Sequence, residues 1–263
     1  AARRLTADLH AVTADDAPVR NLLLAVERCH LTTTGLIAAP YASAIAATSA
    51  EERQLGVTAI DLGAGATTLA MFAEGHFLHT DALAIGGHHS TIDIARALSA
   101  PLAESERIKA LYGTLVGARS DEHEPVTYPR AADDEETLST TTKAHVREIL
   151  RPRVESLLGL LRERIDASPA AHLATRHIVL TGGAAQLVGL SELAASVLGP
   201  RVRVARPQPI GGLPGSVCGP AFSVAVGLAH AVAAGDVAVT AYQERDSLGS
   251  GYLQRVGQWL REF

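Results

Sequence analysis

The residues of greatest chemical interest are an acidic side chain and two glycines in one short loop. An apolar, strand-like run at 57–60 leads into Asp61, and Gly63, Ala64 and Gly65 follow. Glycine lets backbone N–H groups approach phosphate oxygens, and a carboxylate at a strand end can hold a hydrated magnesium ion. The pattern indicates a phosphate-binding loop, while a hairpin turn with a capping aspartate remains the alternative.

A second glycine turn has the same position relative to a strand. The apolar run 178–180 leads through Thr181 into Gly182, Gly183 and Ala184, which open a helix. A helix N-terminus favours phosphate, and the missing side chains leave room for a base or ribose. A tight strand-to-helix turn without a ligand is the alternative when this motif is taken alone. Two such turns in one chain match the far half of an actin-type nucleotide cleft.

The elements that must position these turns alternate between strand and helix. Periodicity predicts strands near 57–60, 178–180 and 202–205, with helices between and after them. Such alternation predicts an α/β sheet that is covered by helices on both faces.

Three local predictions test this pattern. Residues 36–40 have the composition of a buried strand closed by proline. Residues 120–142 are polar and predict an exposed loop or β-ribbon. A long helix is predicted at 143–167, and Pro152 should kink or interrupt it.

Composition excludes several classes of protein. The 263 residues are 47% hydrophobic, which is enough to bury a sizeable core. The net charge of -5 provides no basic field for nucleic acid, so no nucleic-acid partner is expected. Cys29 and Cys218 lie far apart and do not suggest a disulfide framework or a zinc site. The sole methionine is Met71, and we expect the chain to be part of a longer one.

Four segments in order resemble the bacterial FtsA family of actin-like cell-division proteins. They read DLGAG at 61–65, GGHHSTIDIA at 86–95, ERIK at 106–109 and TGGAAQL at 181–187. The resemblance implies that ATP and Mg²⁺ are bound, with Asp61 holding the metal through water. It implies these nucleotide-binding residues: Asp61, Gly63, Ala64, Gly65, Gly87, Glu106, Lys109, Gly182, Gly183 and Ala184.

The resemblance also implies an actin-like (ribonuclease-H-like) fold. One complete nucleotide-side domain would carry a helical and β insert, and the first domain would be mostly missing. The implied parts are a remnant strand of the family-specific subdomain at 1–13, a remnant of the first actin-like subdomain at 14–54, the second actin-like subdomain at 55–95 and 175–238, an inserted subdomain at 96–174, a linker at 239–250 and an amphipathic membrane-targeting helix at 251–263.

The phosphate loop departs from the family pattern in two places. The family often has a third glycine and a threonine where this chain has Ala64 and Ala66. The threonine hydroxyl would be lost unless Thr67 or Thr68 replaces it. The family's first phosphate loop should lie before Ala1, so we expect weak hydrolysis of ATP or none.

The last residues have the pattern of an amphipathic helix. Apolar positions recur at 252, 253, 256, 259, 260 and 263, which forms one stripe on a helix. Arginine and glutamine lie on the other face, which is typical of a helix in a membrane interface, although docking on the protein core would fit too. The residues expected to enter the membrane are Leu253, Val256, Trp259, Leu260 and Phe263.

A partner site is implied on the long helix. By the resemblance, its subdomain receives the acidic C-terminal peptide of FtsZ, and Arg153 with Glu155 are the expected contacts, although an ordinary solvated charged face is the alternative. Expected partners therefore include FtsZ, further copies of this chain in an actin-like polymer, other divisome proteins and the membrane. The resemblance places the protein on the cytoplasmic face of the cell membrane, as a peripheral protein at the division site.

Two other functions compete with a tethering adaptor. A PilM-type pilus-assembly scaffold would lack the amphipathic terminus. A sugar-kinase-like phosphotransferase would need a substrate-site acid and the first phosphate loop, and neither is visible in the sequence.

Overall fold

A computed structural model describes residues 10–130, 138–173 and 177–235. Residues 38–234 belong to one compact unit. The first helix, α1 (Asp16–Arg28), lies in a separate unit and is described by itself. Within α1, an ion pair joins Arg20 to Asp16 one turn earlier.

The larger unit is built on a five-stranded mixed sheet. Its strands are β1 (Val57–Leu62), β2 (Thr67–Ala73), β3 (His76–Leu83), β6 (His177–Thr181) and β7 (Arg201–Val204), in the spatial order β3-β2-β1-β6-β7. The first three strands form an antiparallel meander, while β6 and β7 run parallel to β1 and to each other. The chain leaves the sheet between β3 and β6 and forms an insert there.

The insert contains helices and a separate two-stranded ribbon. The elements in chain order are α4 (Gly87–Leu98), α5 (Leu102–Tyr112), β4 (Pro125–Pro129), β5 (Leu138–Thr142) and α6 (Lys143–Ala167). Strands β4 and β5 pair antiparallel, so the β-ribbon predicted within 120–142 is confirmed. The remaining helices are α2 (Ala39–Ala47), α3 (Ala50–Leu55), α7 (Leu190–Leu198) and α8 (Ser223–Ala234).

Helices cover both faces of the sheet, as the alternating pattern predicts. Alternate residues of β1 enter two different cores, with Ile60 on one face and Ala59 on the other. The larger core lies against α4, α6 and α7, and the smaller one is formed with α2 and residues such as Phe72. The buried positions of α6 recur at helical spacing: Val146, Leu150, Val154, Leu157, Leu158 and Leu161.

Two local predictions fail at prolines: the strand expected at 36–40 is absent, and the long helix is not interrupted at Pro152. Pro40 lies in the first turn of α2 and does not close a strand, because a proline there loses no helical hydrogen bond. Pro152 lies inside α6, which continues from Lys143 to Ala167 without interruption. Tertiary packing overrides the local penalty there, because the buried stripe of α6 continues on both sides of Pro152.

Several expectations lie outside the described residues. They include residues 1–9 of the remnant strand predicted at 1–13, the linker at 239–250 and the amphipathic helix at 251–263. Of the helices that the structure describes, none has the length and apolar character needed to cross a bilayer. The subdomain boundaries inferred from the sequence stay a prediction.

Helices α2 and α8 approach so closely that a glycine is required between them. A Cβ atom at Gly227 of α8 would overlap the backbone of Ala42 in α2. Small residues dominate the buried face of α2, where Ala42, Ser43 and Ala44 are almost fully buried. The small side chains on this face of α2 allow the backbones of the two helices to come into contact.

Replacing this glycine tests the packing. We expect Gly227→Ala to lower the free energy of unfolding by about 1–3 kcal/mol, as overpacking of a tight contact does. The control is Gly159→Ala in α6, where an added Cβ meets nothing within 4 Å; it should raise stability by roughly 0.8 kcal/mol through helix propensity. Urea unfolding monitored by circular dichroism measures both, and a Gly227→Ala variant as stable as the parent would contradict the close approach.

Candidate functional site

Parallel pairing of β1 with β6 brings the two glycine turns to the same edge of the sheet. Asp61, at the end of β1, lies opposite Thr181, at the end of β6. Gly182 follows with φ of 89°, a conformation that side chains disfavour, and a Cβ there would overlap the Asp61 carboxylate. The two glycine turns therefore follow neighbouring strands of the sheet.

The first turn is fixed by the beginning of α4. The backbone N–H of Gly87 donates to the Gly63 carbonyl, and that of His88 donates to the Ala64 carbonyl, each at 2.9 Å. These bonds use two of the N–H groups that a helix N-terminus leaves without helical partners. The phosphate loop is therefore anchored to α4, and its shape depends on where that helix lies.

A buried threonine anchors the same loop from its other end. The Thr67 hydroxyl donates to the Ile85 carbonyl at 2.7 Å, and its side chain is fully buried. It cannot replace the family threonine that Ala66 omits, because its hydroxyl is already engaged. Of the two replacements expected from the sequence, Thr68 is the one left as a candidate.

Glu106 and Lys109 lie one turn apart on α5 and face α4. The Lys109 ammonium donates to the Glu106 carboxylate at 2.7 Å, to the Thr91 hydroxyl at 2.8 Å and to the Gly87 carbonyl at 3.0 Å. Thr91 donates to Glu106 in turn. Burial alone would raise the pKa of Glu106, but hydrogen bonds from Lys109 and Thr91, with the lysine charge, outweigh it and lower that pKa.

The second glycine turn is held by the segment that precedes α8. The Gly182 N–H donates to the Pro220 carbonyl at 3.1 Å, and the Thr181 and Ser223 hydroxyls are hydrogen-bonded. A short 3₁₀ turn, Gly183–Gln186, begins directly afterwards. The start of a helical turn presents backbone N–H groups outward, which suits an anionic or polar ligand.

The two glycine turns and α5 border a cavity of about 780 Å³, and its lining residues fall within 62–190. One part of its wall is apolar, with Leu102, Leu157 and Leu187 among its residues. Of the nucleotide-binding residues implied by the resemblance, seven line it: Gly63, Ala64, Gly87, Glu106, Lys109, Gly183 and Ala184. The other three, Asp61, Gly65 and Gly182, lie in the adjoining turns. The volume and the mixed lining are typical of a small-molecule site.

Asp61 differs from Glu106 and Asp93 because it forms no ion pair with any cationic side chain in the described part of the chain. Its side chain is half-buried, and burial raises the pKa of Asp61, while a hydrogen bond from the Ser43 hydroxyl opposes that rise. Within residues 10–130, 138–173 and 177–235, no group of three or more His, Cys, Asp or Glu side chains forms a metal cluster.

The sequence profile of the family described as "Cell division protein FtsA" matches residues 58–227. The chain belongs to the FtsA family. A cell-division protein FtsA from Agrobacterium fabrum is 42% identical over 98% of this chain and 59% of its own length. One from Escherichia coli K12 is 33% identical over 98% of this chain and 63% of its own length. This FtsA-family chain thus spans about three-fifths of the length of these curated relatives.

Solved structures show that this FtsA-family chain has an actin-like fold. MreB5 of Spiroplasma citri bound to ADP superposes with a TM-score of 0.66 at 17% identity, over 82% of this chain and 65% of that one. The PilM–PilN type IV pilus biogenesis complex gives 0.61 at 24% identity, over 81% and 56%. The fold class predicted from the sequence is confirmed.

The two residues expected to contact FtsZ both have partners within the chain. Arg153 binds the Asp93 carboxylate, and Glu155 binds Arg151 one turn earlier. The same holds along the whole helix, where each arginine of α6 forms an ion pair with Asp81, Asp93, Asp121, Glu155 or Asp166. An acidic peptide on this helix would have to compete with these internal carboxylates.

Sequence reasoning missed three side chains that the structure places at the site. Thr91 bridges Glu106 and Lys109, Asp93 binds Arg153, and Ser43 binds Asp61. Thr91 and Asp93 lie in the segment at 86–95 that carries the family resemblance. Their place in that segment was a signal from which a role at the site could have been predicted. Ser43 gave no such signal, because it lies among the small residues of α2. Its position beside Asp61 depends on how α2 packs against β1.

The raised pKa of Asp61 predicts a pH-dependent cost to stability. A carboxyl whose pKa is higher in the folded chain stabilises that chain at low pH, and the contribution is lost as the pH rises through the folded pKa. We expect Asp61→Asn to stabilise the nucleotide-free, magnesium-free chain at pH 7 by about 1 kcal/mol, the lower end for burying a poorly paired polar group. The gain should vanish near pH 4, as measured by urea unfolding at both pH values.

Asp121→Asn is the control of opposite sign. The Ala118 N–H, together with Lys143 and Arg147, lowers the pKa of Asp121, so this carboxylate contributes stability above its unfolded pKa that is lost on acidification. We expect Asp121→Asn to destabilise the chain at pH 7. Equal destabilisation by both variants at pH 7 would contradict the conclusion that the ionised Asp61 side chain lowers stability.

Proposed function

We propose that this FtsA-family chain binds ATP with Mg²⁺ in the cavity between the two glycine turns and α5. The main support for this proposal is that both glycine turns and the Glu106–Lys109 pair line or adjoin one cavity, although they lie far apart in sequence. The fold is that of MreB5 of Spiroplasma citri, which has been solved with ADP and with AMPPNP. The likeness supports the same use of the site here.

Each part of the site suits one part of the nucleotide. The loop at Gly63, Ala64 and Gly65 would receive phosphate, and Asp61 would hold Mg²⁺ through water. Glu106 and Lys109 would contact the ribose, because an ionised carboxylate accepts from hydroxyl groups and an ammonium donates to them. The base would lie between the apolar wall and the turn that contains Gly182, Gly183 and Ala184. Bound Mg²⁺ would supply charge neutralisation for the phosphates.

At the level of the cell we propose a tethering adaptor for septum assembly. ATP would control polymerisation of the chain, and hydrolysis would be slow or absent. Arg153 and Glu155 would receive the acidic tail of FtsZ, and the helix at 251–263 would hold the polymer at the cytoplasmic face of the membrane. The family membership and the apolar stripe in the tail sequence support this proposal over a sugar-kinase-like phosphotransferase.

The tail by itself should bind lipid weakly. Burying each large apolar side chain gives about 1.5–3 kcal/mol, while ordering each residue of the helix costs roughly 1 kcal/mol. Charge adds little, because Arg255 and Arg261 are offset by Glu262 and the terminal carboxylate. Polymerisation would therefore supply the avidity that stable attachment needs.

Lysine protection tests the nucleotide site directly, because the chain contains two lysines. Lys109 lies in the cavity, and Lys143 pairs with Asp121 and Glu124 outside it. We expect Mg·ATP to protect Lys109 from acylation, read by peptide mass spectrometry, and to leave Lys143 labelling unchanged. Lys109→Met should weaken ATP binding about tenfold or more, as loss of a charge-assisted hydrogen bond does, and Lys143→Met should not. No ATP binding by the parent chain would refute the proposal.

Co-sedimentation tests tethering. We expect the full chain to carry a labelled FtsZ C-terminal peptide down with liposomes, because the tail binds lipid while α6 binds the peptide. Leu260→Glu should release both chain and peptide, because it places a charge on the apolar stripe. Gln258→Glu adds the same charge on the polar face and should leave both bound. Arg153→Glu should keep the chain on the liposomes and lose the peptide; unchanged peptide binding would remove Arg153 from the partner site.

A further inference from the structure

One ion pair joins two helices across the wall of the cavity. The Arg153 guanidinium of α6 donates from Nε to Asp93 Oδ2 at 2.6 Å and from Nη2 to Oδ1 at 2.9 Å, across 60 residues of sequence. The Asp93 side chain is 19% exposed and that of Arg153 is 36% exposed, so the pair is partly shielded from water. Two parallel charge-assisted bonds fix both distance and orientation, which a single point charge does not.

Each end of this pair is attached to a different part of the proposed nucleotide site. Asp93 lies on α4, whose first residues, Gly87 and His88, hold the carbonyls of the phosphate loop. Arg153 is followed on α6 by Val154 and Leu157, which belong to the apolar part of the cavity lining. The pair therefore joins the element that shapes the phosphate side to the element that forms the apolar side.

The other arginines of α6 do not have this position. Two pair with acidic residues of the same helix, Arg151 with Glu155 and Arg162 with Asp166. Their other N–H groups donate to the carbonyls of Leu115 and Val197, so neither arginine joins α6 to α4. Arg147 reaches Asp121 and Arg164 reaches Asp81 of β3. Among these five arginines, Arg153 is the one whose side chain lines the cavity.

We propose that Asp93 and Arg153 form a positioning pair that sets the spacing between the phosphate loop and the apolar wall that receives the base. This inference rests on the proposed nucleotide site. A nucleotide gains affinity from having its phosphates and its base bound at the same time, and that gain requires the two subsites to be held at the matching distance. Neither side chain needs to touch the ligand for this role.

The proposal predicts a selective loss of affinity. Breaking the pair should weaken binding of the whole nucleotide, because the spacing is no longer fixed. Breaking the pair should have little effect on the binding of a fragment that occupies one subsite alone. Adenosine probes the base side and inorganic tripolyphosphate probes the phosphate side, so the three ligands together separate a lost spacing from a damaged subsite.

The experiment compares dissociation constants of the full chain for Mg·ATP, adenosine and tripolyphosphate by isothermal titration calorimetry. We expect Asp93→Asn and Arg153→Met each to weaken Mg·ATP about tenfold, with less than about a threefold change for either fragment. The exchanged pair, Asp93→Arg with Arg153→Asp, should recover most of the lost affinity. Asp166→Asn is the matched control, because it removes one carboxylate from another ion pair of α6, that of Arg162, and it should leave all three constants unchanged.

The outcomes separate this inference from the function on which it rests. If the parent chain binds no Mg·ATP, the proposed function fails and the role of the pair fails with it. If the parent chain binds Mg·ATP and each single variant binds it as tightly as the parent does, the positioning role alone is refuted. A parallel loss for all three ligands, without recovery in the exchanged pair, also refutes it and indicates damage to the subsites themselves.

Discussion

Parallel hydrogen bonding between β1 and β6 is the constraint on which the site depends. It places Asp61 opposite Thr181, so the loops that follow the two strands leave the sheet at the same edge. The parallel pairing requires a crossover connection, and in this chain the connection leaves after β3 and returns more than ninety residues later. Of the elements in that connection, α4, α5 and α6 contribute residues to the cavity wall.

Backbone hydrogen bonds then convert this edge into a shaped site. The first N–H groups of α4 are used on the carbonyls of the phosphate loop, so the loop moves with the helix. In contrast, Asp61 is left half-buried with a neutral hydroxyl partner, although burial of its charge is unfavourable. Under the proposed function, a cation bound at Asp61 would offset this cost, since a ligand that binds the folded state stabilises it.

Helix α6 combines two roles that the sequence did not separate. Its apolar stripe fills the larger core and part of the cavity wall, while its arginines are all held by carboxylates of the same chain. A helix that looks basic in sequence is therefore much less available to an acidic ligand than its composition indicates. Internal pairing has to be considered before any basic helix is assigned as a partner surface.

The sequence by itself determined the family, the alternation of strands and helices, and the identity of the residues around the two glycine turns. These features are local, because each depends on spacing within a few residues. Only the tertiary structure decided that Pro40 begins a helix, that Pro152 is tolerated within one, that Thr67 is already engaged and that Arg153 binds Asp93. Each of these features depends on a contact with residues that are distant in sequence. The packing of whole helices and strands decides which distant residues come into contact.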